Sequence, residues 1–179
     1  MKKLLAWIPL IFSIIIIAYF TIPWLLIFIG GQLEPNPPKP KITYAEFPVR
    51  LEYEVNGERK VAQDTVICEY EGVGWNEGSG KYRKWKQRLA SGNDDFLLLK
   101  VDDSTRIYFY PESAQYYMND LQEYDGVSRL FPNAMIQQKQ GETDDFSRIR
   151  ADELLKTYKI KLIKWEDSPP IKNSFIDEE

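Results

Sequence analysis

The chain has 179 residues with 23 basic and 27 acidic side chains, and 23 of its 78 hydrophobic residues fall within the first 31 positions. It has no histidine and one cysteine, Cys68, which excludes Ser-His-Asp and Cys-His nucleophiles, histidine metal ligands, an internal disulfide and thiolate clusters. Beyond residue 31 the balance is 21 basic against 27 acidic residues, a net of −6, so the electrostatic footprint of a nucleic-acid binder is missing.

The chain opens on 26 uncharged residues, Leu4 to Ile29, broken only by Pro9, Ser13, Thr21 and Pro23. As a helix they span roughly 39 Å, against about 30 Å of bilayer hydrocarbon. One crossing is expected, with Pro23 the place for a bend and Trp7 and Trp24 near the two ends. Secretory signals have apolar cores of about 7–15 residues, so a retained anchor is expected rather than a cleaved leader. Lys2 and Lys3 abut the segment, whereas Lys39 and Lys41 lie 10 or more residues beyond it. That asymmetry predicts residues 1–3 as a cytoplasmic tail and the rest of the chain outside.

Residues 30–41 form a stalk with Pro35, Pro37, Pro38 and Pro40, a composition that favours extended polyproline II. The soluble domain is expected over 42–170. Phe47, Val49, Leu51, Tyr53 and Val55 alternate with Arg50, Glu52 and Glu54, the period of a half-buried strand. Asn56-Gly57 then predicts a two-residue hairpin pairing Val55 with Glu58, with a return strand from Arg59 to about Tyr70. Cys68 falls in that strand as a small core hydrophobe. Tyr82, Trp85 and Leu89 have helical spacing, capped by Ser79 or Gly80, although Arg83, Trp85, Gln87 and Leu89 also fit a strand. Strands are expected at Phe96–Val101 and Arg106–Tyr110, a helical turn started by Pro111-Glu112-Ser113 and running through Met118, and an edge strand at Leu130–Gln138 because of Pro132. A helix over Ala151–Tyr158, with Leu154, Leu155 and Tyr158 inward, precedes a last strand from Lys159 to Trp165. Pro169-Pro170 should end the ordered domain, leaving 171–179 as a loose acidic tail.

The glycine-rich run Gly72 to Lys81 fails both phosphate-loop tests. Tyr82 follows Gly80-Lys81 where Ser or Thr is needed, and Glu77 stands where a dinucleotide fingerprint needs glycine. The run is expected to be a flexible connection or a wall around a partner. Asp120, Glu123, Asp125 and Gly126 resemble part of a calcium loop, but Leu121 and Pro132 occupy its first and twelfth positions. The pairs Asp94-Asp95, Asp102-Asp103 and Asp144-Asp145 are expected at turns, where aspartate bonds its own backbone.

Lys81 to Arg88 is the most unusual stretch: Lys81, Arg83, Lys84, Lys86 and Arg88 are basic, interleaved with Tyr82 and Trp85. With Trp75 these residues form the candidate site for an anionic envelope polymer, lipid headgroups or a membrane-protein partner. The bland alternative is an amphipathic segment with Tyr82 and Trp85 on its core face. No cofactor or metal is expected. The order of elements predicts an α+β domain with a mainly antiparallel sheet and short helices. Function is expected to be that of a membrane-anchored interaction or accessory domain. An envelope carbohydrate enzyme working by a carboxylate pair, and a small subunit of a membrane complex, are the alternatives.

Overall fold

The computed structural model describes residues 8–78, 80–121 and 129–176. The expected tail 1–3, Trp7, the capping role of Ser79, the Glu123–Gly126 part of the calcium-like run and the last three residues lie outside these. The chain divides into two compact units, Met1–Pro38 with Gly72–Lys84, and Lys39–Glu71 with Trp85–Glu179.

The first unit is built on α1, Ile8–Leu33. Its stretch Pro9–Leu33 has a mean hydropathy of 2.5 and no buried part, so it is long and apolar enough to cross a membrane, a test that a signal sequence also passes. The Ser13 and Thr21 hydroxyls are satisfied within the helix, Ser13 Oγ donating to the Pro9 carbonyl and Thr21 Oγ1 to the Ile17 carbonyl, both at 2.9 Å. Such internal pairing is what an apolar solvent demands. The helix continues past Ile29 because Glu34 N–H closes the last turn on the Gly30 carbonyl at 3.1 Å, and Pro35 then ends it. Trp24 is therefore nine residues short of the helix end.

Among the described residues ten strands follow: β1 (Lys39–Pro40), β2 (Tyr44–Val55), β3 (Glu58–Asn76), β4 (Gly80–Leu89), β5 (Phe96–Lys100), β6 (Thr105–Phe109), β7 (Ala134–Gln140), β8 (Thr143–Ile149), β9 (Ile160–Glu166) and β10 (Phe175–Ile176). Two short helices, α2 (Ala114–Tyr117) and α3 (Ala151–Tyr158), interrupt them. The sheets are four-stranded β4-β3-β2-β9, four-stranded β5-β6-β7-β8, and two-stranded β1-β10. The architecture is α+β, mostly antiparallel sheet, as expected. Asn56 and Gly57 both have positive φ, 54° and 82°, and the register pairs Val55 with Glu58 and Glu54 with Arg59. The turn chemistry fixed that register in advance.

Several expectations are corrected. Residues 82–89 form strand β4 rather than a helix, and the glycine-rich run is not a loose loop: it is the end of β3, a tight turn and the start of β4. Asn76 Oδ1 accepts from Gly78 N–H at 2.9 Å within that turn. Pro132 does not push its strand to an edge. It precedes β7, which lies between β6 and β8, so no ladder bond is asked of it. Asp144 and Asp145 lie in β8, an edge strand whose only buried residue is Ile149; the turn is at Gly141-Glu142, where Gly141 has φ 67°. Pro169-Pro170 does not end the ordered chain: Ile171 N–H bonds the Tyr117 carbonyl at 3.0 Å, and β10 pairs with β1.

The second unit has one core. Phe47, Val49, Leu51, Val66, Cys68, Trp85, Leu89, Ile160 and Leu162 come from the first sheet, and Phe96, Leu98, Ile107, Phe109, Ala134, Ile136 and Ile149 from the second. The Trp165 ring packs on Phe109 and Phe96, with centroids 4.8 and 6.1 Å away. On α3 only Leu154 is fully buried; Leu155, expected inward, is 47% exposed.

Candidate functional site

As a strand, β4 sends alternate side chains to opposite faces and so divides the basic cluster. Lys81, Arg83 and Trp85 share one face; Lys84, Lys86 and Arg88 share the other. In the first unit Lys81 Nζ donates to the carbonyls of Glu34 at 2.5 Å and Gln32 at 3.3 Å, and Arg83 Nη1 to that of Pro38 at 3.3 Å. Trp75 covers Gly31 so closely that a Cβ there would overlap the indole. In the second unit Trp85 is buried, and Arg88 reaches Glu69 at 3.4 Å. Lys84 and Lys86 are exposed. Trp75, Lys81, Arg83 and Lys84 thus belong to the first unit, and Trp85, Lys86 and Arg88 to the second.

A different constellation lines an open cleft of about 560 Å³ in the second unit. The outward face of the β5–β8 sheet supplies Leu97, Arg106, Tyr108, Gln137 and Phe146, which the register sets side by side: Leu97 opposite Tyr108, Arg106 opposite Gln137, Gln137 opposite Phe146. Tyr108 Oη donates to Gln137 Oε1 at 3.1 Å, and Phe146 is half exposed. Tyr110 adds another ring, 6.4 Å from that of Tyr108. The remaining lining is Leu89, Asn93, Phe96 and three carboxylates. Asp64 projects from β3, and Asp94 and Asp95 from the segment after β4.

That segment is held in place by backbone bonds. Leu89 N–H donates to the Asn93 carbonyl at 3.0 Å, and Gly92, at φ 86°, returns to Leu89 at 3.0 Å. Asp64 Oδ1 accepts from Thr65 N–H at 2.7 Å and from Ser91 N–H at 3.3 Å, tying the segment to β3. Burial, reinforced by the charge of Asp94, pushes the Asp95 carboxyl up to about 6. Burial, then the neighbouring Asp95, pushes the Tyr110 phenol up to about 12. Among the described residues no three His, Cys, Asp or Glu side chains converge to hold a metal ion. The cleft combines exposed ring faces, an amide, a guanidinium and carboxylates, one of which holds its proton into the near-neutral range. Such a surface can stack on an apolar face and hydrogen-bond a polar rim.

In the sequence Asp94-Asp95 reads as a turn, and Asp64, Arg106, Tyr108 and Phe146 belong to no motif. The alternation of Arg106 and Tyr108 with Thr105, Ile107 and Phe109 was the one signal that places them on a common outward face. Comparison with protein-family models, curated proteins and solved structures finds no match to this chain.

Proposed function

We propose that α1 anchors the chain in a membrane, N-terminus inside, and displays an extracytoplasmic accessory domain that binds envelope carbohydrate in the Asp64–Asp95 cleft. The observation carrying the anchor is the exposure of α1: its large apolar side chains from Leu10 to Leu33 are 43–80% exposed. In water that surface is disfavoured by about 25 cal/mol for each Å². The cleft suits a sugar because ring faces such as Tyr108 and Phe146 stack on its C–H face while Gln137 and the carboxylates accept from its hydroxyls. The test is retention of the full-length protein, in detergent, on purified envelope glycan. Tyr108→Ala should abolish it, and unchanged retention would show that the cleft is not the site. For the anchor, the protein should remain with membranes through carbonate washing; a soluble form starting near Gly31 or Gln32 would refute it.

Asp95 favours a second reading, hydrolysis of that glycan. A carboxyl titrating near 6 beside another carboxylate can donate a proton to a leaving oxygen. Release of reducing ends, lost in Asp95→Asn while retention persists, would establish an enzyme. Retention without release leaves a binding module.

A further inference from the structure

We infer that the tip of the β3–β4 hairpin, Gly72–Asn76 and Gly80–Lys84, rests in the headgroup layer of the bilayer that α1 crosses, with Trp75 as its interfacial anchor. The inference rests on the anchor reading above and adds a second membrane contact made by the domain's own strands.

Depth comes from the helix. Gly31 lies 22 residues after Pro9, about 33 Å at 1.5 Å per residue, which matches the roughly 30 Å of bilayer hydrocarbon. A side chain packed on Gly31 is therefore at the hydrocarbon boundary. Trp75 is that side chain, and the missing Cβ at Gly31 is what lets the indole approach the helix backbone. An indole at this depth satisfies both of its chemistries, an apolar ring and one polar N–H.

The contact is fixed by more than one group. The Lys81 ammonium donates to the Gln32 and Glu34 carbonyls, at the negative end of the helix dipole, while the Lys81 backbone N–H donates to Glu34 Oε2 at 3.0 Å. Arg83 holds the Pro38 carbonyl. The hairpin thus grips the exit of α1 on both sides of Pro35. The surface it presents also suits the headgroup layer. Val73 is 42% exposed, Tyr82 is half-buried over Gly74, and the run 72–84 has three cations against one acid in a chain of net −4. Basic and aromatic side chains together are the composition that anionic headgroups attract.

The experiment uses the full chain in liposomes, with single cysteines at Val73→Cys or Leu33→Cys carrying an environment-sensitive fluorophore. Cys68 is fully buried and its thiol is pushed up to about 12, so it stays unlabelled near neutral pH and no core change is needed. Circular dichroism must match the unsubstituted protein. Lipids spin-labelled at the headgroup should quench both positions, and Trp75→Ala should cut quenching at 73 at least twofold while leaving 33 unchanged. Quenching at 33 but not at 73 overturns the inference and leaves the anchor standing. No quenching at either position overturns the anchor itself. Quenching at 73 that survives Trp75→Ala refutes Trp75 as the anchoring group.

Discussion

Trp85 and Asp120 lie 35 residues apart and meet in the core: the indole Nε1 donates to Asp120 Oδ2 at 2.7 Å, with the residues 8% and 6% exposed. The ring also stands edge-on to Tyr70, with centroids 5.4 Å apart. This tryptophan is part of the core. Trp85→Phe keeps most of the ring but strips a donor from a buried carboxylate, a loss of about 1–3 kcal/mol. Trp85→Ala should cost about 3–5 kcal/mol. Thermal unfolding of the full chain in detergent, followed by near-ultraviolet circular dichroism, should rank wild type above Phe above Ala. A Trp85→Ala protein as stable as wild type would remove Trp85 from the core.

The Asn56-Gly57 turn offers a second test. Gly57 sits at φ 82° with nothing near its missing Cβ, so the penalty of a side chain there is conformational and not steric. Gly57→Val should lower stability by about 1–3 kcal/mol, whereas Lys60→Ala should change it by less than about 0.5 kcal/mol. Equal melting temperatures for the two variants would be incompatible with the observed turn.

A charged network joining Arg50 and Glu52 of β2, Arg59 of β3 and Lys164 and Glu166 of β9 shapes the response to acid. Glu52 accepts from Arg59 and Arg50, Arg50 also reaches Glu166 at 2.9 Å, and Glu166 accepts from Lys164. The Arg59 guanidinium, then that of Arg50, holds the Glu52 carboxyl below its ordinary 4.5, and Lys164, then Arg50, does the same for Glu166. Depressed folded-state values mean stability that is present above pH 4.5 and lost as pH falls through them. Glu52→Gln should therefore lower the melting temperature at pH 6 and flatten its decline between pH 5 and pH 3. Parallel declines in both proteins would mean that Glu52 takes no part in the acid response.

Asp95 has the opposite sign. Its folded value of about 6 lies above the ordinary 3.8, so its contribution is full below 3.8 and is lost as pH rises through 6. Relative to Asp95→Asn, the wild-type protein should gain stability as pH is lowered from 7 to 5. A difference between the two melting temperatures that does not vary with pH would contradict the burial of this carboxyl.

What could be read in advance was local chemistry. Asn56-Gly57 dictates a turn and a register by itself, and Asp102 gathers the N–H groups of Ser104 and Thr105, each at 2.7 Å. What could not be read were segments whose two faces meet unlike surroundings. Along β4 the face carrying Trp85 enters the core at one end, while Lys81 and Arg83 reach for stalk carbonyls at the other. No single period describes it, and the helical spacing of Tyr82, Trp85 and Leu89 is incidental. Strand β8 is wet on nearly every residue, so it shows no alternation, as charged edge strands often do not. The cleft was invisible for a third reason. Asp64, Asp95, Arg106 and Phe146 become neighbours only through pairing across sheets, which no linear spacing encodes.

The pairing of Lys39 with Ile176 and Pro40 with Phe175 has a mechanical corollary. In this antiparallel ladder the stalk enters and the tail leaves at the same end. A pull between them loads the bonds one after another: first the β1–β10 pair, then Lys41 N–H on the Ser174 carbonyl, then the two bonds joining Asn173 to Ile42. Bonds loaded in sequence yield at far lower force than bonds sheared together. A pull on Ile176 would peel the segment back to Ile171 before straining either four-stranded sheet, so these bonds act as a mechanical fuse for the second unit.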